Sequence, residues 1–265
     1  EFMMDYPHED KALQNKLTFL VRNLGFNEEG GRRSVINALY MVVNQFPVEL
    51  LTKRFGALIF VPVVARLPQE TDDQARKMLE VLILALFGRV DKNTRNQLLA
   101  LALRWKTSDK ALLKIALAEL LALVPSIEGE KSLERFGEFV PVLRQLLPTD
   151  DSAMDNGEVG PVSAPAPKDA VHWRLVYSIM RAFEKFACFV TPAELDRLSS
   201  KKSPIAADVT GFWNDLVGKA IANHPHPWVR AVALRTLQSY LTNRSADEIK
   251  PGKHCLMAGQ EVMPF

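Results

Sequence analysis

The chain is poor in the residues that build disulfide frameworks and metal clusters. It carries two cysteines in 265 residues, Cys188 and Cys255. Their isolation suggests neither a disulfide framework nor a zinc site and fits a reducing compartment. No apolar run reaches the ~18–20 residues that cross a bilayer, so no membrane partner is expected. Charge of one sign is also missing. Lys plus Arg number 33 against 31 Asp plus Glu, a formal charge of +2. That balance excludes binding of nucleic acid by overall charge and leaves only a local basic face. A Gly-rich phosphate loop, a dinucleotide fingerprint and a Gly-x-Ser-x-Gly elbow are all absent, and with them the simplest nucleotide and hydrolase readings. The opening Glu1-Phe2-Met3-Met4 has neither a basic nor a long apolar stretch, so no secretory signal is expected. It reads as a cloning scar or the start of an excised piece of a soluble intracellular protein.

What the chain has is apolar content, 48% of residues, arranged almost everywhere at helical spacing. The expectation is an all-α fold. A first helix is predicted over Asp10–Leu24, with Leu13, Leu17, Leu20, Val21 and Leu24 on one face and Gly25 as its stop. A second covers Gly31–Phe46, with Val35, Leu39, Val42, Val43 and Phe46 as its buried stripe, ended by Pro47. Further helices are predicted over Val48–Leu67 with a break near Pro62, over Asp72–Val90, from an Asp91 or Asn93 cap to Lys106, from a Thr107-Ser108-Asp109 cap through Val124, and over Gly129–Leu147. Residues 148–170 turn acidic and rich in Pro and Gly, as a linker or long loop does. Helical pattern resumes over Val171–Phe189, then briefly at Thr191, over Asp208–Asn223 and over Pro227–Leu241. The organisation expected is therefore helical repeats over 1–147, a linker over 148–170, further repeats over 171–241 and a weakly ordered tail over 242–265.

A repeat organises the pattern. Glu29-x-x-Arg32-Arg33-x-x-Ile36, Asp72-x-x-Ala75-Arg76-x-x-Leu79, Ser108-x-x-Ala111-Leu112-x-x-Ile115 and His226-x-x-Val229-Arg230-x-x-Ala233 open the second helix of successive pairs. Arg33, Arg76 and Leu112 are 43 and 36 residues apart, room for two antiparallel helices and their turns, the unit of HEAT and armadillo α-solenoids. In such a unit a polar cap opens the helix, and an Arg just past the cap can reach an acidic group or a carbonyl. A generic helical bundle is the alternative that periodicity leaves open.

Candidates for chemistry are few. His224 and His226 flank prolines in an inter-helix turn and read as a solvated turn rather than a metal site. Cys188 reads as core packing, and no base is at hand to make it a nucleophile. Trp173 and Trp213 lie on apolar stripes and read as core, whereas Trp105 and Trp228 stand beside Arg and Lys, where exposed aromatics could stack bases. Some DNA glycosylases are built on HEAT-like repeats, and Trp105, Trp228 and Asp109 are the residues such a role would use, without support from their spacing. Arg32, Arg33, Lys53, Arg54 and Arg230 are the candidate contacts to RNA phosphates or a protein partner, the remaining basic clusters being Lys201-Lys202 and Arg89, Lys92 and Arg95.

Gly31-Arg32-Arg33 through Asn44-Gln45-Phe46-Pro47-Val48-Glu49-Leu50-Leu51, with Phe60-Val61-Pro62-Val63-Val64-Ala65-Arg66-Leu67, resembles a repeat of the DRIM (down-regulated in metastasis) family. His172-Trp173-Arg174-Leu175-Val176-Tyr177 and His224-Pro225-His226-Pro227-Trp228-Val229-Arg230 resemble its later repeats. The family comprises very large HEAT-repeat scaffolds of the U-three small nucleolar ribonucleoprotein, or small-subunit processome. The resemblance implies a nucleolar, non-enzymatic scaffold segment in processing of the small-subunit ribosomal RNA precursor, with processome proteins and precursor RNA as partners and no cofactor or small-molecule substrate. An adaptor in transport or signalling, with a helical peptide as its target, is the alternative without RNA.

Overall fold

The computed structural model describes residues 10–147, 167–187, 197 and 224–242. The predicted short helix at Thr191, the helix over Asp208–Asn223, Trp213, Lys201-Lys202, both cysteines and the tail from 243 lie outside them, as does the linker up to residue 166. The described residues are all-α, with no strand among them. They fall into two compact units, one up to Ile127 and one from Glu128.

The first unit contains α1 (Asp10–Arg22), α2 (Glu29–Gln45), a short α3 (Val48–Leu50), α4 (Gly56–Arg66), α5 (Asp73–Arg89), α6 (Lys92–Leu103) and α7 (Ala111–Glu128, up to the unit boundary). Helices that follow one another pair, α1 with α2 and α4 with α5. The pairs then stack: α4 packs between α1 and α6, and α2 packs on α5. The first helices of the pairs thus form one layer and the second helices another, as stacked helical hairpins of a solenoid do. Each layer buries its inner stripe. Leu13 and Leu17 of α1, Ile59, Phe60, Val63 and Val64 of α4, and Leu79, Leu82, Ile83 and Leu86 of α5 are buried. Phe60 stacks on Phe87 at 5.3 Å between centroids, tying α4 to α5. In α2 the core position falls to Ile36 rather than Val35, which is half-buried, a rotation of the stripe that brings Arg32, one turn earlier, inside. The Ala- and Leu-rich α7 is buried on most sides, from Ile115 to Ala118 and again at Leu120 and Leu121.

The break predicted near Pro62 lies earlier. Pro62 sits inside α4 without ending it. The helix widens instead to a π turn over Leu51–Phe55, where the Gly56 N–H donates to the Leu51 carbonyl. Gly56 is required there, because a Cβ at this position would lie 2.6 Å from that carbonyl oxygen.

The second unit holds α8 (Ser132–Leu146), α9 (Pro167–Ala187) and α10 (Pro227–Thr242). Proline at the first position of α9, where its missing N–H costs nothing, starts this helix earlier than the predicted Val171. The α8–α9 contact is aromatic: Phe136 meets Phe183 and Phe186 at 5.5 and 5.7 Å, and Phe139 meets Phe186 at 6.0 Å. All four rings are fully buried. α9 also packs along α10.

Candidate functional site

The starts of the second helices carry the most organised polar chemistry of the first unit. Asp72 caps the second helix α5, and Asp91 caps the first helix α6, accepting from the backbone N–H of Ala75 and of Thr94 at 2.7 Å. Asp72 does more. Arg33, four residues past the aligned Glu29 of the preceding repeat, donates to both of its carboxylate oxygens, Nε at 2.8 Å and Nη2 at 2.7 Å. Hydrogen bonds from Arg33, and then from the Ala75 N–H, outweigh the opposing effect of burial and hold the Asp72 carboxyl down at about 2. Arg76, the residue aligned with Arg33, donates to Glu119 of α7 at 2.6 Å and to the Leu67 carbonyl at 3.3 Å. One arginine per repeat therefore reaches forward to an acid of the next helix pair, at separations of 39 and 43 residues. Arg230 occupies the aligned position in the second unit and donates to the carbonyls of His224 and Pro225 instead.

Arg32 lies deeper. It is 6% exposed. Its Nε and Nη2 hold the Glu70 carboxylate at 2.7–3.2 Å, and Nη1 donates to the carbonyls of Phe26 and Asn27. Glu70 also accepts the backbone N–H groups of Thr71 and Asp72, both at 3.0 Å, with Arg66 at 3.6 Å. Burial pushes the Glu70 carboxyl up, yet the hydrogen bonds of Arg32 and of the Asp72 N–H, with the charges of Arg32 and Arg66, leave it below its ordinary value. The geometry pins the α4–α5 turn onto α2.

Among the five basic residues singled out as partner contacts, Lys53 and Arg54 stand exposed on the π turn. Arg33 and Arg230 are half-buried in the bonds just described. Arg32 is buried in the Glu70 pair, so a phosphate could reach it only by displacing a carboxylate. Glu70 and Glu119 escaped sequence reading. The signal for Glu119 was there, a lone acid in the apolar Ala116–Ala122 run; Glu70 looked like any turn residue.

In the second unit the His224-Pro225-His226-Pro227 turn keeps its prolines exposed while its histidines pack inward. His224 is buried and its Nδ1 accepts the His226 N–H at 3.1 Å. His226 Nδ1 accepts the Trp228 N–H at 3.3 Å, capping α10. Its ring lies on Trp173, 3.8 Å between centroids and 4° from parallel. Trp228 meets the same indole edge-on at 5.5 Å and is 60% exposed. Trp173 is half-exposed rather than core, because its face serves as the platform for His226. Burial, then the charge of Arg230, holds the His226 imidazole below its ordinary value. Among the described residues no group of three or more His, Cys, Asp or Glu is placed to hold a metal, and no helix is long and apolar enough to cross a membrane.

No family model matches the chain. Two curated proteins are similar to it. The U3 small nucleolar RNA-associated protein 20 of Schizosaccharomyces pombe is 24% identical over 233 residues, 86% of this chain and 8% of that protein. The protein of the same name from Saccharomyces cerevisiae is 20% identical over 251 residues, 94% of this chain and 9% of that protein. The chain thus spans less than a tenth of the length of either relative. An engineered protein of known crystal structure superimposes with a TM-score of 0.34 at 13% identity, over 86% of this chain and 98% of that one, a likeness too loose to bear on fold or function.

Proposed function

We propose that the chain is a non-enzymatic segment of a HEAT-type scaffold that acts in ribosome biogenesis. Its place is the nucleolar small-subunit processome, and its partners are processome proteins and the precursor of the small-subunit ribosomal RNA. The observation that carries the proposal is the similarity to two small nucleolar RNA-associated proteins along nearly the whole chain. The architecture supports it. Arg33–Asp72 and Arg76–Glu119 tie each helix pair to the next, which suits a framework that presents surfaces. Affinity purification of the tagged chain from cells, followed by quantification of the RNA recovered, tests the proposal. U3 small nucleolar RNA and unprocessed ribosomal precursor should be enriched at least tenfold over transfer RNA. Recovery of protein complexes free of both RNAs would favour the adaptor reading.

A further inference from the structure

Taking the ribosome-assembly role above as given, we propose that the first unit binds single-stranded RNA through the outer layer formed by α1, α4 with its π turn, and α6. The charges of this unit are segregated by layer. Asp10–Arg22, Val48–Arg66 and Lys92–Thr107 together hold ten Lys and Arg against two acids, Asp10 and Glu49. The second helices, Glu29–Gln45, Asp73–Arg89 and Ala111–Glu128, hold six against five. Four of these six cations are engaged within the fold, Arg32, Arg33 and Arg76 in ion pairs and Arg89 on the Phe46 carbonyl at 2.6 Å, and Lys77 is exposed. Lys11, Arg22, Lys53, Lys92 and Arg104 of the outer layer are exposed. The chain as a whole is nearly neutral, so this separation gives the layer a positive potential that the composition conceals.

The residues between those cations fit RNA better than an acidic protein. On α6 and the turn that follows it the exposed side runs Lys92, Asn93, Asn96, Gln97, Ala100 and Arg104, and on α1 it includes Gln14, Asn15 and Phe19. Amides hydrogen-bond sugar hydroxyls and base edges, while Lys and Arg neutralise phosphates. Phe19 is 68% exposed, an aromatic face standing between Lys11 and Arg22 on which a base can stack. A protein partner would call for a contiguous apolar centre, and Phe19 is the one large hydrophobic residue strongly exposed on these three helices among the described residues. Because α4 packs against both α1 and α6, the three segments are neighbours, and their exposed cations stand at the ends of adjoining elements: Lys11 and Arg22 on α1, Lys53 on the π turn, Lys92 and Arg104 at the two ends of α6.

The test is fluorescence anisotropy with a labelled 30-nucleotide single-stranded RNA and the full chain, from 50 to 200 mM salt. Lys53→Glu/Arg104→Glu reverses two charges on the outer layer, and Lys77→Glu/Lys114→Glu reverses two on the other, so both variants change net charge equally. Circular dichroism verifies that both keep the helical content of the parent. The outer variant should bind roughly tenfold or more weakly, and its log–log salt slope should fall by about 1.4, the value for two single-strand phosphate contacts. The other variant should stay within about threefold of the parent. Equal weakening of the two variants would overturn the assignment, since net charge alone would then explain binding, and so would an outer variant that binds like the parent. A parent chain that ignores RNA at 50 mM salt but binds poly-glutamate would overturn it in favour of an acidic protein partner. Each of these failures leaves the processome reading to be judged separately by the RNA recovered from cells.

Discussion

Replacing Arg32 by methionine should be among the most damaging single changes in the first unit, although the residue stands in what reads as a surface basic pair. Removal of the guanidinium leaves the Glu70 side chain, 0% exposed, as a buried charge without its main partner. Breaking such a pair costs about 3–5 kcal/mol. The lower end applies here, because Glu70 keeps the N–H groups of Thr71 and Asp72 and the guanidinium of Arg66 at 3.6 Å. In urea, with a slope of about 3 kcal/mol per molar, the midpoint should fall by roughly 1 M. The pH dependence carries the sign of the mechanism. In the parent the Glu70 carboxyl is held below its ordinary value, so its contribution is present above about pH 4.3 and is lost as pH falls through the folded value. In the variant the bond and charge of Arg32 are gone while burial still pushes the carboxyl up, so protonation as pH falls relieves the buried charge and the deficit shrinks. Arg32→Met combined with Glu70→Gln removes both charges while keeping the acceptor for the two backbone N–H groups, and should recover about 2 kcal/mol at pH 7. A midpoint shift below about 0.3 M, or one equally large at pH 4 and pH 7, would refute the reasoning.

Two glycines should respond with opposite signs. Gly56→Ala drives a Cβ to 2.6 Å from the Leu51 carbonyl and should destabilise by about 1–3 kcal/mol as the π turn is forced open, whereas Gly88→Ala meets nothing within 4 Å inside α5 and should stabilise by a few tenths to ~1 kcal/mol; thermal unfolding of both variants reads the difference. The His226 imidazole is held below its ordinary value, so the stability it confers is present above about pH 6.5 and is lost as pH falls through the folded value. His226→Asn keeps a cap acceptor for α10 but cannot titrate, so the gap in melting temperature between parent and variant should narrow from pH 7.5 to pH 5. A gap that stays constant across that range would show that His226 is not the titrating group.

The fold was legible where one physical rule acts alone. Leu13 and Leu17, or Val42 and Val43, are buried because a three-and-four spacing leaves them no other face, and Asp72 and Asp91 cap helices because their carboxylates are the nearest acceptors for orphaned N–H groups. The forward reach of an arginine past each cap was also readable as a pattern, though not its acceptor. Glu70 and Glu119 lie 38 and 43 residues from their arginines in sequence, and only packing brings them together. The same limit explains Arg32. In sequence it is the twin of Arg33, yet a 100° step around α2 puts one in the core beside Ile36 and the other at its rim. At Pro62 the local rule lost: a proline normally breaks a helix, but here the irregularity moved seven residues back, to the turn that Gly56 permits. A local basic face was among the expectations, with Lys53, Arg54, Lys92 and Arg95 named, but not which helices would share it. Its charges are spread over three segments, and only their stacking makes them one surface.

The most direct test of the central claim is sedimentation of the tagged chain through a sucrose gradient of cell extract, with U3 small nucleolar RNA followed in the same fractions. The chain should peak with U3 RNA in the large-particle fractions and move to the top of the gradient after ribonuclease treatment. A chain that stays at the top of an untreated gradient, or sediments in large particles devoid of U3 RNA, would contradict its assignment to the ribosome-assembly scaffold.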